Sequence, residues 1–325
     1  MQRRTLATLL ACLLAAGHGA SLAQTANWPT RPVRVVVPFP PGGATDIVGR
    51  AIAERLQATL GQPFVIENKA GASGNIGVAD VARATPDGYT LVVGAAQTLT
   101  INPQLFGNLP FDPQKDLAPV AVVASVPNVL LASNKLPVKT PQELVAYARQ
   151  NVGRLNYGSS STGGTPHLSG ELFKSMTGTF IVHVPYRGSA PAMQDLVGGQ
   201  IDLMFDNLPA ALPQIRAGTV RALAVTTLQR SVSAPDLPTL DESGLKGFDS
   251  QGWFALLAPA GTPQSVLQRL NTAVNEILTT PEFRERLLKV GADPVGGSIE
   301  EFRQRLRTET ERWGGVIRAA GVKAE

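Results

Sequence analysis

The sequence predicts an α/β fold of two lobes, each built on a helix-covered, largely parallel sheet, with the chain crossing twice between them. Three observations predict it. Apolar β-rich runs alternate with helical stretches through residues 33–94 and again through 155–225. Long apolar segments at 118–132 and 252–259 stand where the chain would pass from one lobe to the other and back. A unit of strand, neutral glycine-rich loop and helix start occurs once in each half.

The first unit is Val33-Arg-Val-Val-Val-Pro-Phe-Pro-Pro-Gly-Gly-Ala-Thr-Asp46, followed by a helix from Asp46 to Leu60 whose Val48, Ile52, Leu56 and Leu60 share one face. Gly42 and Gly43 carry no Cβ to block a ligand, and the amides of the first helical turn have no partner inside the helix. Such a place favours an anion. The loop has no Lys or Arg, so the anion would be held by backbone dipoles and hydroxyls. Next come a strand at 64–67, a loop at 71–74, a helix at 75–84 and a strand at 89–94. Ligands sit beyond the carboxyl ends of strands in such sheets. Here those ends carry the loops 39–46, 71–75 and 94–98.

In the second half, Thr140-Pro-Gln-Glu143 opens a helix with a capping pattern. Strand 155–158 runs into Ser159-Ser-Ser-Thr-Gly-Gly-Thr165, with Pro166 starting the next helix and Thr165 expected as its cap. Two helix starts on separate lobes could then close on one acidic ligand. Strands follow at 180–185, 201–205 and 220–225, with a helix at 190–197. Asp206-Asn207 stands at a strand's carboxyl end, where Asp206 either faces the cleft or caps the following helix. Thr262-Pro263, Thr280-Pro281 and Ser298-Ile-Glu-Glu301 start three C-terminal helices, the last with Phe302, Leu306, Trp313 and Ile317 as a core-facing stripe.

The N-terminus, Met1-Gln-Arg-Arg followed by a short apolar run and small residues, is an export signal with a cleavage site after Ser21-Leu22-Ala23. Its arginine pair hints at twin-arginine export, and Leu9-Leu-Ala-Cys12 faintly resembles a lipoprotein box. Without residues 1–23 the chain loses two arginines and its only cysteine, and its net charge falls from +4 to +2. A near-neutral balance without a basic run argues against nucleic acid. A mature chain without cysteine forms no disulfide and relies on its core, for which ~300 residues suffice. No later segment is long and apolar enough to span a bilayer, no His/Cys/carboxylate spacing suggests a metal, and no cofactor is expected.

Pro38-Phe-Pro-Pro-Gly-Gly-Ala-Thr-Asp46, Asn68 to Gly77, Ala84-Thr-Pro-Asp-Gly-Tyr-Thr90, Leu155-Asn-Tyr-Gly158, Pro166-His-Leu-Ser-Gly-Glu-Leu-Phe173, His183-Val-Pro-Tyr-Arg-Gly188, Phe205-Asp-Asn207 and Leu256-Leu-Ala-Pro-Ala-Gly261 together resemble the Bordetella uptake gene family. These are extracytoplasmic solute receptors, the substrate-binding components of tripartite tricarboxylate transporters. The resemblance implies a type II periplasmic binding fold, with lobe 1 at 24–127 and 247–325 and lobe 2 at 128–246, closing as a monomer on a small mono- or dicarboxylate. It implies periplasmic localisation, a membrane permease as partner, and no enzymatic activity. It places Phe39, Gly42, Gly43, Ala44, Thr45 and Asp46 opposite Ser159, Ser161, Thr162, Gly164 and Thr165 around the ligand carboxylate. Ser73, Asn75, Gln97 and Asp206 would shape the far end. Gln97 stands where a small hydroxyl is expected, and the second loop is unusually dense in serine; both bear on which acid is bound.

Two other readings compete. An exported serine hydrolase would use a serine among 159–161, His167 or His183 as base, and Asp46, Asp195 or Asp206 as orienter, although no Gly-x-Ser-x-Gly elbow is present. A receptor reporting to a sensor protein would use the same closed form.

Overall fold

The structure is a computed structural model, and it describes residues 28–320 and 322. The export signal and its cleavage site lie outside the described residues. The first half is β1 (Val33–Val37), α1 (Ala44–Leu60), β2 (Phe64–Asn68), α2 (Asn75–Ala82) and β3 (Thr90–Ala95), with β1 parallel to both β2 and β3. Val48, Ile52 and Leu56 of α1 are fully buried against this sheet. Fully burying such a side chain contributes about 1.5–3 kcal/mol. Of the stretch expected as a loop at 94–98, Gly94 and Ala95 end β3 and Gln97 starts a wide helical turn, Gln97–Ile101, which runs into the short α3 (Asn102–Leu105). Thr98 and Thr100 suit this turn by bonding their hydroxyls back to the carbonyls of Ala95 and Ala96, which keeps both buried hydroxyls paired.

A single long strand, β4 (Leu117–Ser133), joins the halves. It is followed by α4 (Pro141–Gln150), β5 (Asn156–Ser159), α5 (Thr165–Thr177), β6 (Val182–Pro185), α6 (Ser189–Gly198), β7 (Leu203–Asn207), α7 (Leu208–Arg216), β8 (Val220–Val225) and β9 (Gln251–Pro259). Residues 117–127 of β4 pair antiparallel with β9, whereas Asn128 onward pairs with β7 and β8. β5 lies parallel to β6 and β7. The chain then closes with α8 (Gln264–Thr279), α9 (Pro281–Lys289), β10 (Asp293–Pro294) and α10 (Ile299–Ala320). The strand order β2-β1-β3-β9-β4-β7-β5-β6 therefore changes partner set at Pro127/Asn128.

The return crossing meets β4 at the same level. Thr226 N donates to Asn128 O at 3.0 Å, and Ser250 N donates to Thr226 O at 2.9 Å, all three residues being fully buried. The two crossings are thus pinned side by side by backbone bonds. The stripe on α10 is buried as expected, and it spans both halves: Trp313 and Ile317 pack with Ile101 and Leu168. The capping pairs are realised at Thr140, whose hydroxyl accepts from Glu143 N, and at Ser298, whose hydroxyl accepts from Glu301 N. No helix among the described residues is long and apolar enough to cross a membrane.

Candidate functional site

Three helices begin at one cleft between the halves. α1, α5 and α6 have Gly43, Gly164 and Gly188 as N-caps, and no side chain caps any of them. In α1 the first intrahelical bond is Ile47 N to Gly43 O, so the amides of residues 44–46 have no acceptor in the helix. In α5 it is Leu168 N to Gly164 O, which leaves the amides of Thr165 and His167 in the same position. Glycine caps cost little helix stability and add no competing acceptor, so the dipole ends stay open to an anion.

The cleft is narrow, with a cavity volume of about 70 Å³. It is lined by Phe39, Gly43, Thr45, Gln97, Ser161 and Thr165, with Ser189, Asn207 and Trp253 on further sides. No Asp, Glu, Lys, Arg or His is among its lining residues. An outer chamber shares Phe39, Pro40, Ser160, Ser161 and Gly188 with it, and there Ser73, Thr162 and Arg187 join the wall.

Of the residues expected at the ligand, Phe39, Gly43, Ala44, Thr45, Gln97, Ser161 and Thr165 line the cleft, and Ser73 and Thr162 line the outer chamber. The other six do not line either space. Gly42 turns the chain at φ +80°, and its amide is consumed by the Asp46 carboxylate at 3.0 Å. Asp46 also accepts from Arg50 and Asn68 and is buried, so it braces the loop from behind. Although burial raises the carboxyl's pKa, the hydrogen bonds from Arg50, Gly42 and Asn68 outweigh it and hold Asp46 below its ordinary range. Asn75 bonds Asn102 Nδ2 at 2.6 Å in the interior. Gly164, not Thr165, is the N-cap of α5; the Thr165 hydroxyl donates instead to Asn128 Oδ1 at 3.3 Å. Asp206 is fully buried behind the cleft wall, accepting from Ser189 Oγ and Asn207 N, and it caps no helix with a reach to the second or third turn amide. Its burial pushes the carboxyl up to about 7.

Ser159 belongs to a second buried group under the same loop. Its Oγ lies 2.7 Å from His183 Nε2 and donates to Ser161 O at 3.2 Å. His183 stacks on His167 at 4.0 Å between ring centroids, and His167 Nδ1 accepts from Gly163 N at 3.0 Å. Desolvation holds both imidazoles neutral, with pKa values down to about 4 for His167 and about 3 for His183. The pair therefore supports the 159–165 loop from below. Among the described residues no group of His, Cys, Asp and Glu could hold a metal ion.

The start of α6 was not anticipated as part of the site. Gly188-Ser-Ala-Pro191 has neither a capping pattern nor the strand-glycine-helix spacing of the other two units, and only the tertiary fold brings it to the cleft. Gly252 was missed for a related reason. A Cβ there would lie 3.2 Å from both Asn207 Nδ2 and Thr165 Oγ1, so any side chain where β9 passes the floor would push on both groups.

Two α/β halves hinged on paired crossings, with uncharged helix starts around the cleft, define a solute-binding protein of the periplasmic type. The sequence model for the tripartite tricarboxylate transporter family receptor matches residues 48–322, and the chain belongs to that family. Protein BugT of Bordetella pertussis is 38% identical over 321 residues, 98% of each chain. The structure of Rpa4515 from R. palustris with adipate is similar at a TM-score of 0.89 and 44% identity, over 91% of this chain and 99% of that one. MatC (Rpa3494) from Rhodopseudomonas palustris with bound malate is similar at a TM-score of 0.82 and 37% identity, over 89% of this chain and 100% of that one. The type II binding fold expected from the sequence is the fold observed.

Proposed function

We propose that this protein captures a small mono- or dicarboxylate in the periplasm by closing its two lobes, 24–127 with 247–325 and 128–246, and delivers it as a monomer to the membrane permease of a tripartite tricarboxylate transporter. The observation that carries the reading is the convergence of three glycine-capped helix starts on a cleft whose lining has no charged side chain. Unpaired amides supply a full carboxylate with donors while no cation has to be desolvated. A ligand touching α1 on one lobe and α5 on the other favours the closed state by its extra contacts there. The adipate and malate held by two related proteins support an acid as the ligand class.

The hydrolase alternative finds a Ser–His contact, at Ser159 and His183, but the contact is built for another role. Ser159 has no exposed surface. Its Oγ is shared between Ser161 O and His183 Nε2, and without open surface the hydroxyl has no approach to a substrate carbonyl. We assign the pair to holding the loop.

Calorimetry of the mature protein against a panel of mono- and dicarboxylates, with small-angle scattering of the same samples, tests the function. Micromolar binding of at least one acid together with compaction is expected. Absence of any acid binding below millimolar, or binding without compaction, would overturn the reading. Capture of the permease from membranes only in the presence of ligand tests the partner; capture of a sensor kinase instead would replace it.

A further inference from the structure

Asp206 is a fully buried carboxyl group without a countercharge. Phe205 before it packs with Tyr157 and Phe173 on the α5 side of the sheet, so Asp206 faces the other side, where α6 and α7 pack on Met204. Its donors are both neutral and both on one oxygen: Ser189 Oγ reaches Oδ1 at 2.8 Å and Asn207 N reaches it at 2.9 Å. Oδ2 is buried without a partner among the described residues. The elements packed on β7 carry Tyr157 (β5), His167, Glu171 and Lys174 (α5), Asp195 (α6) and Arg216 (α7), while β4 carries no titratable side chain. Tyr157 and Lys174 are bonded to Glu171, Asp195 accepts from Tyr186 Oη, and none of these groups shifts the Asp206 carboxyl. Burial decides its state. An unpaired buried charge costs far more than a neutral acid group, and the carboxyl is pushed up to about 7.

Ser189 joins this carboxyl to the cleft. It is the first residue of α6, it lines the cleft, and its hydroxyl hydrogen is spent on Asp206. The uncapped start of α6 therefore has the cleft on one side of Ser189 and Asp206 on the other. A helix start offers the equivalent of roughly half a positive charge. An anion in the cleft and an ionised Asp206 would share it, and they would repel each other through an interior that screens charge far less than water does. With an acid in place, the arrangement of lower energy has a proton from solvent on Asp206 Oδ2. Ser189 and Asn207 N keep their bonds to Oδ1 in either ionisation state.

We infer that Asp206 is a proton-binding site coupled to the cleft, so that capture of an acid is accompanied by uptake of up to one proton and affinity falls as pH rises above neutrality. The inference rests on the acid-binding reading above and adds the proton as a second ligand. In mildly acidic solution Asp206 is already neutral, and binding takes up nothing there. Above neutrality the ligand must draw the proton in, and part of its binding free energy is lost in doing so.

The test is calorimetry of the mature protein with malate and with adipate, whose own carboxyls stay ionised throughout the range used. Titrations at pH 8 in two buffers of different ionisation enthalpy count the protons taken up, and titrations at pH 6.5 and 8.5 give the change in affinity. Uptake of roughly half a proton at pH 8 and a loss of roughly tenfold in affinity between pH 6.5 and 8.5 are expected. Asp206→Asn keeps an acceptor for Ser189 Oγ and Asn207 N without the titration, so it should lose both the uptake and the pH dependence, with thermal melting used to verify its fold. Acid binding by the natural protein with no proton uptake and a flat affinity, or uptake that persists in a folded Asp206→Asn protein, would overturn the coupling while leaving acid capture intact. Binding of neither acid at any of these pH values would overturn both.

Discussion

Ser161 and Gln97 hydrogen bond across the cleft: Ser161 Oγ donates to Gln97 Oε1 at 2.9 Å, and Gln97 Nε2 donates to Thr162 O at 3.1 Å. Gln97 thus ties the lobes together as well as lining the space between them. Two such bonds contribute about 1–3 kcal/mol to the closed arrangement. Gln97→Ala should lower ligand affinity roughly 5- to 30-fold and enlarge the radius of gyration of the ligand-free protein in scattering. Unchanged dimensions and affinity would mean that the latch is idle.

Gly43 and Gly170 should respond to substitution in opposite ways. Gly43 has φ −77°, and a Cβ there meets nothing closer than Pro40 O at 3.7 Å, so Gly43→Leu should fold normally. Its side chain would compete with the ligand at the mouth of α1, and affinity should fall by about 100-fold or more. Gly170 lies on α5 against Tyr157, where a Cβ would approach the ring to an impossible distance. Gly170→Ala should cost about 1–3 kcal/mol of stability, visible as a lower Tm. Intact binding by Gly43→Leu would remove the α1 amides from the site.

The two buried histidines make stability fall with acid. Their folded pKa values lie below the ordinary imidazole value because burial disfavours the charged ring, with His167 adding repulsion at His183 and Lys174 at both, opposed at His167 by Glu171. A depressed pKa gives stability that is complete above about 6.5 and is lost as pH falls through the folded values of about 4 and 3. His167→Asn keeps an acceptor for Gly163 N without the titration, so its Tm should vary less between pH 7 and 4 than that of the natural protein. His167→Ala should bind ligand more weakly than His167→Asn at pH 7. Identical pH profiles for all three proteins would contradict the loop-support role.

Much of this arrangement could be read from local pattern, because local chemistry produces it. The spacing of Val48, Ile52 and Leu56 specifies the buried face of α1, and the two glycine loops announce α1 and α5. What local pattern misled on was the use of polar side chains. Asp46 and Asp206 look like ligand contacts at strand ends, but each is turned away by partners distant in sequence, Asn68 for one and Ser189 for the other. Thr165 resembles a cap in every local respect and is diverted to Asn128, 37 residues away. The helical turn at 97–101 is hidden because its β-branched residues suit a strand or a loop equally well.

Among the described residues Arg187 is the single charged one lining either chamber, and it is exposed. A cation at the entrance of a neutral cleft raises the encounter rate of anions without holding them in place. Arg187→Glu should slow association several-fold at low salt, less at ~0.5 M salt where the Debye length is only a few Å, and leave dissociation nearly unchanged. A large rise in the dissociation rate instead would make Arg187 a direct ligand contact.

The crystal structure of the protein with a bound acid puts the whole account at risk in one experiment. A carboxylate oxygen should lie within hydrogen-bond distance of the α1 amides at Ala44 and Thr45, and the α5 amide at Thr165 should face the same ligand. A ligand anchored by Arg187 or Arg50, or bound outside the space between the lobes, would contradict it.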